Sequence, residues 1–123
     1  MKRILLIEDE MRLHKVFDEL FRAENFELIS AYDGESGLNL AQEVIPDLII
    51  LDLILPKKGG FEVLKEIKNN PILEKVPVMV LTNVESSYDV GQAFSLGACA
   101  YLTKANYSLE EIFQKIKEIL KDK

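Results

Sequence analysis

Five short apolar segments alternate with five amphipathic segments along the chain, and this alternation restricts the fold more than any other feature. The apolar segments predict strands at residues 3–7, 27–32, 48–52, 76–81 and 100–103. Continuous apolar runs are typical of strands buried on both faces, whereas residues 27–32 alternate in part and favour a position near a sheet edge. Strands that alternate with helices predict a parallel sheet with helices on both of its faces.

The amphipathic segments predict helices with recognisable ends. Residues that end a helix or follow its last turn are Asn25, Pro46, Asn70, Pro71 and Gly97. The last helix begins with a capping box, in which Ser108 and Glu111 satisfy each other's backbone amides. Two helices carry clear apolar stripes, which are predicted to face the sheet: Leu13, Val16, Phe17, Leu20 and Phe21 in the first, and Leu109, Ile112, Phe113, Ile116, Ile119 and Leu120 in the last.

Composition places the chain among globular proteins and excludes several classes. The 123 residues make one domain, 1–123, and the net charge of −6 argues against a nucleic-acid surface, which needs clustered Lys and Arg. Cys99 has no second cysteine to pair with, so we expect a reducing, cytoplasmic location. The longest uncharged stretch, residues 90–103, is too short to span a membrane. Residues 121–123 are expected to fray.

Two of the apolar strands end abruptly in carboxylates. Residues 4–7 are followed by Glu8-Asp9-Glu10, and residues 48–51 are followed by Asp52. If these strands are parallel neighbours, their carboxylates crowd one edge of the sheet, where like charges repel unless a cation neutralises them. The pattern predicts a metal site built around one reactive aspartate.

Several residues at strand ends carry a family resemblance that spans essentially the whole chain. They are the pair Glu8-Asp9, Asp52 with Pro56 and Gly60 at fixed spacing, Thr82 after the fourth strand, and Lys104 after the fifth. In this respect the chain resembles the receiver domain of two-component response regulators, in particular single-domain chemotaxis-type receivers. The resemblance implies a flavodoxin-like doubly wound α/β fold with a five-stranded parallel sheet of order 2-1-3-4-5. The switch point of that order lies between strands one and three.

The resemblance also implies a chemistry for these positions. Asp52 is the expected phosphoacceptor, taking a phosphoryl group from a histidine kinase or a phosphotransfer protein. The expected cofactor is Mg2+, held by Asp9 directly, Glu8 through water, one oxygen of Asp52 and the backbone carbonyl of Ile54. Lys104 is expected to pair with the phosphoryl group, and Thr82 to donate its hydroxyl to it. Beyond its own phosphorylation and dephosphorylation, no enzymatic activity is expected.

The family resemblance further implies a switch. Thr82 moves toward the phosphoryl group, Tyr101 turns inward behind it, and the face formed by helix four, strand five and helix five repacks. Signalling then proceeds by binding a downstream protein target, without direct contact to nucleic acid or membrane. The chain is expected to be a monomer or a phosphorylation-dependent dimer.

Three positions depart from the family pattern. Ala105 stands after Lys104, where the family usually has a proline in a cis peptide bond. The Lys104–Ala105 bond is therefore either cis, at a cost in free energy, or trans, which leaves the position of Lys104 less constrained. Asn83 stands where the family usually has a small residue and narrows the entrance to Asp52. Ile54 has no polar atom to orient a hydrolytic water. We therefore expect slow dephosphorylation.

Simpler readings compete with these assignments. Glu8 or Asp9 could act only as a helix N-cap, Glu10 is expected in the first helical turn, and Thr82 and Tyr101 could be ordinary strand residues. His14 is predicted to face solvent and Cys99 to be a small packing residue. For the whole chain, the alternatives are a pseudo-receiver that binds partners without chemistry, a flavodoxin-type cofactor protein and an aspartyl phosphatase. The acids at residues 8–10 disfavour the flavodoxin-type cofactor protein. Ile54 disfavours the aspartyl phosphatase.

Overall fold

Ten strands and helices alternate along residues 1–121, as predicted. The computed structural model describes residues 1–121; of the residues expected to fray, 122 and 123 lie outside this range. The strands are β1 (Lys2–Ile7), β2 (Phe26–Ala31), β3 (Leu48–Leu51), β4 (Val78–Thr82) and β5 (Ala100–Thr103). The helices are α1 (Met11–Ala23), α2 (Gly34–Val44), α3 (Gly60–Asn69), α4 (Ser87–Ser95) and α5 (Leu109–Lys121). No helix in the described part of the chain is long and apolar enough to cross a membrane.

The sheet is entirely parallel and has the predicted order β2-β1-β3-β4-β5. β1 pairs with β2 on one side and β3 on the other, and Ile7 lies opposite Leu51 in the β1–β3 pair. The residues that follow these two strands therefore emerge side by side. The prediction of a flavodoxin-like doubly wound fold is confirmed.

Two hydrophobic clusters pack the helices onto opposite faces of the sheet. One joins β-strand residues to α2, α3 and α4, and the other joins the alternate strand residues to α1 and α5. Residues 48–51 and 78–82 are buried throughout, because β3 and β4 are covered on both faces. Burial in β2 is only partial, as expected for an edge strand.

Several boundaries differ from the sequence predictions. β4 begins at Val78 because Pro77 has no N–H to donate, although its carbonyl accepts from Ile49. The capping box is confirmed: Ser108 N–H donates to Glu111, and Glu111 N–H donates to the Ser108 hydroxyl. Leu109, predicted to face the sheet, is 42% exposed, because it lies in the first turn of α5 before the helix reaches the sheet.

Candidate functional site

Acidic side chains meet at the carboxyl ends of β1 and β3. The backbone N–H of Asp52 donates to the carbonyl of Ile7 (3.0 Å), which continues the β1–β3 pairing by one step. Glu8, Asp9 and Asp52 each present a carboxylate oxygen, and these oxygens lie within 4.8 Å of one another. Glu8 and Asp52 are almost completely buried, whereas Asp9 is exposed. The crowding predicted from the strand ends is therefore present.

Asp52 is held by both of its carboxylate oxygens. Oδ1 accepts from the backbone N–H of Ile54 (3.3 Å), and Oδ2 lies 3.2 Å from Lys104 Nζ. The turn after Asp52 folds back closely, because a Cβ on Gly60 would lie 2.4 Å from the Asp52 carbonyl oxygen. Glycine at position 60 thus allows α3 to begin directly against the backbone of the aspartate.

Glu8 has the most perturbed environment of the acidic group. Its Oε2 accepts from the backbone N–H of Glu10 (2.9 Å), while Oε1 lies 2.5 Å from Lys104 Nζ in an ion pair without the geometry of a directed hydrogen bond. Burial raises the pKa of Glu8 to about 7, and the Asp52 carboxylate adds to the rise, although Lys104 and the Glu10 N–H oppose it. A bound cation would favour the ionised form of this carboxylate.

Glu10 differs from its predicted place. It occupies the N-cap position of α1 rather than the first turn, and its side chain makes no capping hydrogen bond. The Glu8 carboxylate instead satisfies the free N–H of Glu10. Glu8 is therefore not the N-cap residue of α1, and its carboxylate contacts both the Glu10 N–H and Lys104.

Lys104 supplies the positive charge of the site. Its ammonium group contacts Glu8 and Asp52 and lies 4.0 Å from Glu10. Burial acts to lower the pKa of Lys104, but the contacts with Glu8 and Asp52 outweigh it and raise the pKa. Within residues 1–121 no peptide bond is cis, so the bond from Lys104 to Ala105 is trans. Lys104 nevertheless reaches Asp52, and the concern that a trans bond would leave it detached is not supported.

The carboxylates and Lys104 line a cleft of about 250 Å³ that also contacts Ile54 and Asn83. Thr82 is fully buried at the end of β4, beside but not within the lining of this cleft. Its hydroxyl oxygen accepts a long hydrogen bond from Val84 N–H (3.4 Å). Asn83 thus lines the cleft as expected, whereas Thr82 does not.

A family model described as the response regulator receiver domain matches residues 4–117. The chain belongs to this family. Receiver domains are signalling domains of two-component systems, and the prediction of the family from the strand-end residues is confirmed.

Relatives of this receiver domain include transcriptional regulators. It is 45% identical over 122 residues to the transcriptional regulatory protein CiaR of Streptococcus pneumoniae, covering 98% of this chain and 52% of CiaR. It is 33% identical over 120 residues to the alkaline phosphatase synthesis transcriptional regulatory protein PhoP of Bacillus subtilis, covering 98% of this chain and 49% of PhoP. The chain spans about half the length of the curated relatives that it matches.

Solved structures share the fold of this receiver domain. The Mn2+-bound form of response regulator Rcp1 is 38% identical, with a TM-score of 0.82 over 97% of this chain and 91% of that one. A Francisella response regulator receiver domain is 23% identical, with a TM-score of 0.89 over 99% of this chain and 98% of that one, and shows the fold alone.

The predicted switch residue Tyr101 lies half-buried on β5 of the receiver domain. Its hydroxyl donates to the carbonyl of Val84 (2.7 Å), the same residue whose N–H contacts Thr82. Burial raises the pKa of Tyr101, and the Asp89 and Asp52 charges act in the same direction, so the phenol remains a donor. Thr82 and Tyr101 are thus linked through one residue of the β4–α4 loop.

Two predictions about residues outside the acidic cluster were wrong. His14 is buried (4% exposed) rather than solvent-facing, and Cys99 is exposed rather than packed. The ring of His14 lies between the Glu8 carbonyl (2.7 Å from Nε2) and the Ser30 hydroxyl (2.8 Å from Nδ1). Burial lowers the pKa of His14 more than the Glu8 hydrogen bond raises it.

Proposed function

We propose that this receiver domain, residues 1–123, takes a phosphoryl group onto Asp52 from a histidine kinase or a phosphotransfer protein in the cytoplasm. The observation that carries the proposal is the meeting of the Glu8, Asp9 and Asp52 oxygens within 4.8 Å, with Lys104 Nζ 3.2 Å from Asp52. Carboxylates this close together repel one another unless a cation is bound. The positive charge of Lys104 suits a site that receives the additional negative charge of a phosphoryl group.

The donor set fits Mg2+, because a hard cation prefers carboxylate, carbonyl and water oxygens. Asp9, Asp52, Glu8 through water, and the backbone carbonyl of Ile54 would hold it. When bound, the ion supplies neutralisation of the phosphoryl oxygens. The Mn2+-bound form of the related Rcp1 supports a divalent cation in this family.

The remaining steps belong to the side chains of the chain itself. A carboxylate oxygen of Asp52 forms a bond to phosphorus while the P–N bond of the donor phosphohistidine breaks, and its electron pair returns to the imidazole nitrogen. Lys104 then pairs with the transferred group as a point charge. Thr82 rotates its buried hydroxyl into the cleft and donates to a phosphoryl oxygen.

Rotation of Thr82 links Asp52 to a distant surface. It breaks the contact of Thr82 with Val84 N–H, and the Val84 carbonyl is the acceptor of the Tyr101 hydroxyl. Tyr101 also lines a groove of about 410 Å³ with Phe94, Tyr107 and residues of α5. We infer that a downstream protein, or a second phosphorylated copy of the domain, binds this α4–β5–α5 face.

Intact mass spectrometry after incubation with acetyl phosphate and Mg2+ tests the proposal. The wild-type domain should gain the mass of one phosphoryl group, and Asp52→Asn should gain none. Asp18→Asn is the matched control, since Asp18 pairs with Arg22 on the surface of α1 and should be phosphorylated normally. An unmodified wild-type mass would overturn the proposal in favour of a pseudo-receiver that acts only as a binding scaffold.

A further inference from the structure

His14 is a buried polar residue to which the proposed phosphotransfer assigns no task. It lies in the first turns of α1, in line with Phe17 and Phe21, which are fully buried against the sheet. Its ring packs at a tilt against Tyr32, with 4.3 Å between ring centroids. An apolar side chain would fill such a position at a lower desolvation cost, so the polarity of His14 requires a reason.

The hydrogen bonds of His14 define its tautomer. A backbone carbonyl can only accept, so Nε2 carries the proton that is donated to the Glu8 carbonyl at 2.7 Å. In the neutral ring Nδ1 is then an acceptor, and the Ser30 hydroxyl 2.8 Å away donates to it. Ser30 on β2 thereby orients the ring, and the ring presents a fixed N–H to the β1–α1 turn.

The carbonyl that His14 holds belongs to the peptide unit joining Glu8 to Asp9. On its other side, Glu8 N–H donates to the carbonyl of Ala31 at 3.0 Å, which extends the β1–β2 pairing to the last residue before the turn. With its N–H and its carbonyl both fixed, Glu8 has little backbone freedom. The plane of the Glu8–Asp9 peptide in turn fixes the backbone N and Cα atoms of Asp9, from which the exposed carboxylate projects.

We propose that His14 is a positioning residue for the acidic site: its Nε2–H fixes the Glu8–Asp9 peptide, and so places both carboxylates for a divalent cation. The inference rests on the proposed function, because it concerns the same metal site. Groups that orient the ligands of a metal commonly change its affinity by roughly 10–100-fold when removed. A role limited to packing would change stability and leave metal affinity alone.

Three variants separate the donor from the packing of the ring. His14→Gln places an amide N–H near the position of Nε2, His14→Asn places one near Nδ1 and cannot reach Glu8, and His14→Leu has no donor. Binding of Mg2+ alone is measured by amide NMR titration, and stability by urea unfolding. We expect His14→Asn and His14→Leu to raise the Kd for Mg2+ about tenfold and His14→Gln to stay within about threefold of wild type.

Comparison of affinity with stability decides the proposal, because all three variants lose ring packing. Equal Mg2+ affinity in the Gln and Asn variants would overturn it, and so would wild-type affinity in all three. If His14→Leu does not fold, the Gln–Asn pair carries the test unchanged. A wild-type domain that fails to bind Mg2+ would overturn the proposed function together with this inference, whereas wild-type binding with unaffected variants would overturn this inference alone.

Discussion

Replacing Lys104 by methionine removes the ammonium group that lies between Glu8 and Asp52 and keeps most of the aliphatic stem. In the wild-type domain Lys104 Nζ lies 2.5 Å from Glu8 Oε1 and 3.2 Å from Asp52 Oδ2. Without it, these two buried carboxylates face each other with no positive charge between them. Breaking a buried ion pair from one side costs about 3–5 kcal/mol, because the remaining charge stays buried. The Lys104 side chain is 17% exposed and opens into a cleft, so we expect the lower end, about 3 kcal/mol.

The size of the loss should depend on pH and on Mg2+. Glu8 already has a pKa of about 7, and loss of Lys104 raises it further, so Glu8 escapes part of the cost by protonation. The loss should therefore be larger at pH 8 than at pH 6. Mg2+ at a hundred times its Kd stabilises a folded protein by about 2.7 kcal/mol. The Lys104→Met variant should gain more than wild type, because no ammonium group competes for the same oxygens.

Thermal unfolding followed by circular dichroism measures both effects. For a chain of 123 residues, a loss of 3 kcal/mol corresponds to a fall in Tm of about 12 °C. Lys75→Met, at an exposed position between α3 and β4, is the matched control and should shift the Tm by no more than about 2 °C. A Lys104→Met domain as stable as wild type at pH 8, or equal stabilisation of both by Mg2+, would refute the reasoning.

Four further outcomes are expected. Because Mg2+ needs the ionised form of Glu8, whose pKa is about 7, calorimetric Mg2+ affinity should fall roughly tenfold per unit below that pH, and Glu8→Gln should remove this dependence. Without metal, Glu8 binds its proton more tightly in the folded than in the unfolded domain, because its pKa is raised from 4.5 to about 7. Its contribution to the free energy of unfolding is therefore complete below pH 4.5 and is lost as the pH rises through 7. Gly34→Ala should destabilise the domain by about 1–3 kcal/mol in urea, since its Cβ would lie 1.9 Å from the Lys58 carbonyl oxygen, whereas Gly59→Ala meets nothing within 4 Å. The phosphorylated wild-type domain should lose its added mass slowly, and the phosphorylated Ile54→Asn variant should lose it faster. A lifetime of seconds for the wild-type phosphoprotein would contradict the role given to Ile54.

The strand-end residues could be predicted from sequence because their physical signal is strong. Residues 4–7 and 48–51 are fully apolar and buried, and each run stops at a carboxylate. Parallel strands end at the same edge of a sheet, so Glu8 and Asp52 had to emerge together once β1 and β3 were neighbours. The prediction that β1 and β3 are neighbours came from the family resemblance, because apolar segments alone do not reveal which strands pair.

Residues with a weaker pattern were misplaced. His14 shares the buried face of α1 with Phe17 and Phe21 at spacings of three and seven, so the helical period contained the signal, but a polar residue beside Leu13 favoured the solvent side. Cys99 lies in the bend just before β5, between buried Ala98 and Ala100, and it is exposed although its backbone N–H donates to the Val78 carbonyl.

The reach of Lys104 to Glu8 was also missed. The two residues are far apart in sequence, and the family resemblance directed Lys104 toward the phosphoryl group at Asp52. In the folded domain the longer glutamate side chain brings its oxygen to 2.5 Å from the ammonium group, closer than Asp52 does. Such contacts depend on side-chain length and local desolvation, which strand and helix periodicity do not encode.

One backbone contact limits how the β4 end of the domain can respond to a new charge. The N–H of Lys104 donates to the carbonyl of Thr82 at 2.8 Å, one step beyond the pairing of Thr82 with Thr103. A shift of the Thr82 backbone toward the cleft would also move the backbone of Lys104 and disturb the ion pair of Lys104 with Asp52. Torsion about χ1 of Thr82 leaves both strands stationary, so under the proposed function we expect a rearrangement to begin with rotation of this side chain while the backbone stays in place.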